Sequence, residues 1–511
     1  MKIFQFESYK KGIILSTIFN ILNKGMVFLS SLVVAFYFGT QLKTDFFFFA
    51  YNLVVLFSGF LSSLNASVLI PEAMRIRIRR DEKTSMRFLN FFLVLYIILT
   101  VIIGVILLIY PQKIFLFISN FDSSAVAVNR KLIFLLVPVF VLMPVSGLLS
   151  EILASYRFFT IPMIIGIING LFSILFVIFF HSTLDTLSMM LALVVSYSIN
   201  LGILVYLMIR RIGWQFTLFD FHIEKRIWRN IGFAQAGNIT SVLYSYAPIF
   251  LFSGLRAGVV TAFALAQQIA SMPTVLITNQ FSAVSGVKLN ELYAKGEFDS
   301  FREVFARTTN FLVFLLMPVS GILFLFASDI VAILFKRGAF NQESVEQCTV
   351  FLRLLGLLLP AIAINTMVAR VFMATHSIKQ SFWYQVCLNV ALVVLIYVGV
   401  KEFGMNGYLY AMLTIYGLST ILLYYLANAF FPEIRYGLVL RHFFSLLFVN
   451  ALIVAVLDQL NLTSININSY VRIFLGVVLY GSLLLIFNHF LKINLELAGF
   501  SRRIKQLIYK N

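Results

Sequence analysis

Lys24, Glu151 and Arg370 lie inside long apolar runs of this 511-residue sequence, and Asp45 and Arg353 lie near the ends of others. An ionisable group at bilayer depth costs roughly 2.5–3.5 kcal/mol on insertion scales, so such groups face a wet cavity or a partner rather than lipid. Lys24 stands near the centre of the run from Ile13 to Phe38, too deep for its stem to reach either interface without strain. That makes it a candidate contact for an anionic substrate group, with a snorkelling lysine as the plainer alternative. Glu151 closes its run and reads first as a hydrated helix-end carboxylate, second as a site for a coupling proton or cation. Asp45 opens its run, where a carboxylate meets a helix N-terminus, so it reads as a cap before it reads as an ion-coupling group. Arg370, one turn from the end of its run, is either a cytoplasmic anchor or a cavity group.

Catalysis has no comparable footing. The sequence contains no G-x-x-x-x-G-K-[ST] loop, no H-E-x-x-H and no paired-cysteine signature, and its five histidines are scattered near loops and run ends. ATP hydrolysis, metal catalysis and a bound cofactor are therefore not expected. A membrane transferase would want acidic clusters for a metal-bound diphosphate, and the carboxylates outside the expected cytoplasmic loops are too sparse to build one.

The elements that must position these groups are membrane helices. Hydrophobic residues make up 61% of the chain, charged residues 12%, and mean hydropathy is +0.96. Apolar runs of about 20 residues predict fourteen spans, at 13–38, 46–70, 88–110, 132–153, 161–180, 188–209, 229–254, 261–286, 308–335, 349–373, 381–400, 406–427, 443–460 and 470–491. The first run is too long for a signal-peptide core and no small-residue cleavage site follows it, so the first helix is expected to be retained. A net charge of +18 would suggest nucleic acid in a soluble chain, but here the basic residues fall mainly in short loops and orient the protein instead. Of 39 lysines and arginines, 27 fall on the side holding both termini, 10 on the other side, and Lys24 and Arg370 within spans. Both termini are thus expected in the cytoplasm, with membrane lipids and no nucleic acid as partners. Cys348 and Cys387 form no spaced set and suggest neither a disulfide framework nor a metal site.

Internal similarity divides the chain. Gly104 to Phe117 matches Gly321 to Leu334 at an offset of 217, Ala154 and Asn169 match Ala374 and Asn389 at 220, and Gly39 matches Gly254 at 215. An interval holding six spans, an even number, keeps the same topology in both halves, related by an axis along the membrane normal. The expectation is an all-α polytopic membrane protein with about 14 transmembrane helices. It comprises an N-lobe at 1–209, a C-lobe at 210–427, and a C-terminal helix pair with a cytoplasmic tail at 428–511. Prolines at 138, 144, 162, 248, 273, 318 and 360 are either ordinary kinks or bending points for alternating access.

The run Leu334-Phe335-Lys336-Arg337-Gly338-Ala339-Phe340 resembles the Leu-Phe-x-Arg-Gly-x-Phe turn of the MurJ (MviN) family of lipid II flippases, within the multidrug/oligosaccharidyl-lipid/polysaccharide exporter superfamily. Further similarity lies in Phe38-Gly39-Thr40 with Thr44, Asp45 and Phe47, in Ile152 to Pro162, and in Ala266 to Pro273. The resemblance spans essentially the whole chain and implies fourteen helices in two six-helix lobes plus a C-terminal pair. It also implies a cavity whose cations hold a diphosphate, with the lipid tail lying in a groove by spans 13 and 14. Lys24 stands where the family carries an arginine in helix 1. Other family charges fall on Ser30 and Ser31, in the apolar segment Val54 to Phe57, and on Gln268.

These observations imply a flippase for undecaprenyl-diphosphate-linked glycans of the bacterial inner membrane, not an enzyme. Its cavity would be built on Lys24, Ser30, Ser31, Asn52, Gln268 and Arg370, with Glu151 and Asp45 available to couple a cation or proton. With three of four family cations missing, hydroxyls and amides supply neutral hydrogen bonds, weaker by about half. A polysaccharide repeat unit is therefore expected slightly ahead of lipid II. Two alternatives stay open: an ion-coupled exporter of small cationic compounds, which would need buried carboxylates, and a non-transporting scaffold for envelope assembly.

Overall fold

A computed structural model describes residues 9–218, 223–430, 434–460 and 468–491. The stretches at 1–8 and 492–511, expected in the cytoplasm, lie outside the described residues. Every regular element among the described residues is helical. The long helices are α1 Tyr9–Phe38, α2 Leu42–Arg79, α3 Glu82–Ile109, α4 Arg130–Ser155, α5 Ile161–Leu184, α6 Leu187–Ile212 and α7 Lys225–Phe252. They continue with α8 Val259–Ala294, α9 Phe298–Leu325, α10 Gln342–Ala374, α11 Ile378–Phe403, α12 Met405–Phe430, α13 Tyr436–Gln459 and α14 Ser469–Leu491.

Thirteen helices among the described residues are long and apolar enough to cross a membrane, and the chain is a multi-pass membrane protein. The seventh expected span does form a helix, α7, whose 28 residues would reach about 42 Å. It is less apolar than the rest because Lys225, Arg226, Arg229, Asn230, Gln235 and Asn238 crowd its first half. Among the described residues three helices carry a π-helical turn, at Asn65–Leu69 in α2, Met208–Ile212 in α6 and Thr274–Thr278 in α8. Two of these turns adjoin prolines, Pro71 and Pro273, whose missing N–H already breaks the regular ladder. Outside the apolar runs, Asp81 caps α3 by accepting from the Thr84 amide at 2.7 Å and the Thr84 hydroxyl at 2.6 Å. Those bonds hold its carboxyl below the usual carboxylate range.

The chain divides into two compact units. The first comprises Met1–Leu265, Phe335–Ser344 and Gln385–Tyr408. Its apolar core brings Phe88, Phe92, Leu148, Leu149, Ile152 and Leu204 together from α3, α4 and α6. Beside this core α1 lies parallel to α5 along a G-x-x-x-G stripe. Asn23 sits over Gly166, a Cβ added at Gly170 would stand 2.8 Å from Met26 Cβ, and the Ser30 and Ser173 hydroxyls meet at 2.6 Å. Small residues let the backbones approach where lipid offers no hydrophobic drive to associate. The second unit comprises Ala266–Leu334, Val345–Tyr384 and Leu409–Asn511. There α9, α13 and α14 pack around Gly321, against which Asn450 and Tyr480 rest, the tyrosine hydroxyl donating to Asn450 Oδ1. Near the start of α14, Arg472 and Ser469 both donate to Asp329 at 2.8 Å.

Candidate functional site

Asp45 is 2% exposed, and its carboxylate accepts from the Gly258 amide at 2.6 Å, the Thr261 amide at 2.7 Å and the Thr261 hydroxyl at 2.6 Å. It therefore caps α8, more than two hundred residues away, and not the helix it opens, whose N-cap position is Gln41. The expectation of a cap at its own helix is corrected accordingly. Asp45 is in the first turn of α2, and its side chain projects onto the unsatisfied amides that start α8.

Two more contacts of the first unit gather at the same helix ends. The turn after Phe335 docks on the end of α1, where Ala339 N donates to Phe36 O at 2.8 Å and the Thr40 and Ser344 hydroxyls meet at 2.7 Å. Gly39 and Gly338 hold φ of +57° and +58°, and a side chain on either would strike the opposing backbone, at Ala339 and at Phe36 respectively. This is the physical need behind glycine in the Leu334–Phe340 motif. A similar contact forms where Ser119-Asn120 docks on the end of α7. Asn120 N donates to Ser253 Oγ at 2.8 Å, and the Tyr246 hydroxyl donates to Ile118 O. A Cβ at Gly254 would stand 2.7 Å from Asn120 Cβ. Gly39 and Gly254 thus do similar jobs, each admitting a loop distant in sequence.

The remaining candidate residues are dispersed. Lys24 is exposed on α1 and has no partner among the described residues. Ser31 lies two turns further along α1 but is buried, its hydroxyl donating to Val27 O at 3.0 Å. Ser30 is committed to Ser173, and Asn52 donates to Phe48 O in its own helix at 2.8 Å. Gln268 and Arg370 belong to the second unit, where the Arg370 stem lies over Gly286: a Cβ there would stand 2.9 Å from Arg370 Cδ. Glu151 is half-buried and stands one turn before the end of α4 at Ser155. Its Oε1 accepts from the Ser62 hydroxyl, while its Oε2 is buried and without a partner.

The comparisons with known proteins decide the family. Residues 34–476 match the family model for the lipid II flippase MurJ. The chain belongs to the MurJ family. A probable lipid II flippase MurJ of Buchnera aphidicola subsp. Acyrthosiphon pisum is 23% identical, covering 72% of this chain and 74% of the relative. One of Borreliella burgdorferi is 20% identical, covering 82% and 83%. Among solved structures, a lipid II flippase MurJ in an inward closed conformation matches with a TM-score of 0.74 at 15% identity, over 94% of this chain and 99% of that one. An inward-facing multidrug resistance MATE transporter of the MOP superfamily matches with a TM-score of 0.64 at 15% identity, over 86% and 99%. At these identities the structural matches establish the fold.

For this MurJ-family chain, one polar set was missed in the sequence. On α7, Gln235 Nε2 donates to Phe60 O at 3.0 Å and Asn238 Nδ2 donates to Ser63 Oγ at 2.7 Å. About two and a half turns earlier, Arg226 pairs with Glu72 at 2.5 Å. These groups hold α7 to the second half of α2. The signal was available, since the same polar residues that make the seventh span weak recur three apart on one face.

Proposed function

We propose that this protein translocates an undecaprenyl-diphosphate-linked glycan across a bacterial inner membrane by alternating access. The observation that carries this reading is the match to the flippase family over residues 34–476. A diphosphate and its sugars cannot cross hydrocarbon unaided, because desolvating charge and hydroxyls costs far more than thermal energy supplies. A cavity open to one face at a time removes that cost. Lys24 supplies the cation for the diphosphate, and the lobes at 1–209 and 210–427 are the moving bodies.

Loop charge supports placing both termini in the cytoplasm. The Asp45 and Gly39–Ala339 contacts then close the extracytoplasmic end, and the α2–α7 contacts lie toward the cytoplasm. In a background lacking Cys348 and Cys387, single cysteines at the exposed positions Arg79 and Lys336 are expected to react with an impermeant maleimide from opposite faces. Labelling from one face would overturn the orientation and the span count together.

A repeat unit other than lipid II remains the preferred cargo. The favouring observation is that Ser30, Ser31 and Asn52 already spend hydrogen bonds on helix packing and their own backbone. They therefore do little to replace missing cations, which suits a less charged or smaller head group. In a strain depleted of its own lipid II flippase, this chain at native expression is expected to rescue growth weakly. Robust rescue would make lipid II the substrate.

A further inference from the structure

We propose that Glu151 is a proton-binding site whose occupancy sets how firmly α2 is held against α7. Three helices of the first unit meet at this carboxylate. Ser62 of α2 donates to Oε1, and Asn65 of α2 also faces the group. Tyr96 of α3 donates to Asn65 Oδ1 at 2.7 Å, with Leu61 O also in reach at 3.3 Å. Oε2 is buried with no donor, and no lysine or arginine pairs with Glu151 among the described residues.

The groups around it leave the charge uncompensated. Arg77, from the last turns of α2, spends its guanidinium on Ser155 Oγ at 3.2 Å and on the Tyr156 ring at 3.6 Å. Glu82 sits beyond Tyr156 and is itself acidic. From α5 and α6 the nearby core contributes Ile165, Leu204 and Leu207, which are apolar. A protonated Oε2 would act as a donor in this setting, where the ionised oxygen has no partner.

The coupling runs through a few residues of α2. Ser62 and Asn65 face Glu151, whereas Phe60 and Ser63, two positions and one position from Ser62 on the adjoining face, receive Gln235 and Asn238 of α7. The π-helical turn begins at Asn65, so the backbone between the two faces is already off the regular ladder. Neutralising Glu151 removes the charge assistance from the Ser62 bond and loosens this segment. Proton uptake on one side of α2 therefore weakens the α7 contact on the other. The inference rests on the transport reading only for its physiological use.

The test uses the purified full-length chain in lipid nanodiscs. Infrared difference spectra on acidification are expected to show a protonated-carboxyl band that Glu151→Gln removes and Glu151→Asp shifts. Deuterium exchange over residues 58–70, corrected for intrinsic rate, is expected to speed up about tenfold on acidification, the scale of one charge-assisted hydrogen bond. That acceleration is lost in Glu151→Gln. Ser62→Ala should keep the band but lose the acceleration. An acidification spectrum identical in wild type and Glu151→Gln overturns the site, as does exchange that follows sodium at fixed pH. Equal acceleration in wild type and Ser62→Ala overturns the route. Flipping of a lipid-linked sugar in vesicles is read separately: its absence beside an intact band sinks the transport reading and not the proton site.

Discussion

Alanine in place of Lys24 is expected to lower translocation at sub-saturating substrate by on the order of 10²- to 10³-fold, with no change in folded yield. One unit charge at about 4 Å from an anion contributes about 4 kcal/mol at an effective dielectric near 20. A factor of ten is about 1.4 kcal/mol, so even after partial compensation by water most of that range survives. Stability is not at stake, because the side chain is exposed and has no partner among the described residues. Arginine at this position should retain part of the rate, since charge is preserved while the fork geometry differs from a point ammonium. The measurement is flipping of a defined lipid-linked sugar by purified protein in vesicles, with thermal unfolding run in parallel. Full activity in Lys24→Ala at unchanged melting temperature would remove Lys24 from the mechanism.

What was legible in the sequence follows from which forces act locally. Span positions could be read because burial in hydrocarbon is a property of each run by itself, but their limits could not: α2 and α8 run nine and eight residues past the expected ends, and α9 starts and stops ten residues early. The short helices Pro111–Ile118, Ser123–Val128 and Ala327–Phe335 could not be read, since stretches of six to nine residues carry too little periodicity. Why glycine stands at three of the matched positions is visible only in the folded chain: Gly39 and Gly254 each admit a loop distant in sequence, and Gly321 is a helix crossing point. Partners distant in sequence were invisible. Nothing near Asp45 indicates that its acceptor capacity is used at Gly258 and Thr261, and nothing near Ser30 points to Ser173. Hydroxyls and amides were read as free to meet a ligand, whereas in apolar surroundings their first obligation is to each other or to the backbone.

On the proposed alternating-access reading, Asp45 is the residue whose loss should most disturb the extracytoplasmic end. Asp45→Ala leaves the Gly258 and Thr261 amides and the Thr261 hydroxyl without their acceptor in a buried setting. Each abandoned buried donor costs about 1–3 kcal/mol, and removal of the anion also forfeits its favourable placement at a helix N-terminus. Water entering the gap recovers part of this, so a loss of about 2–5 kcal/mol is expected for the closed arrangement. Asp45→Asn keeps one acceptor oxygen and should fall between alanine and wild type. The readout is Ser344, which is 2% exposed and meets Thr40 in the same group of contacts. A cysteine at Ser344, in a background lacking the two native cysteines, should be slow to react with an impermeant maleimide. Adding Asp45→Ala should speed the reaction more than tenfold, because the open arrangement gains population as the closed one loses its cap. Equal labelling rates with and without Asp45, at equal melting temperature, would mean that the carboxylate caps α8 without holding the end of the molecule shut.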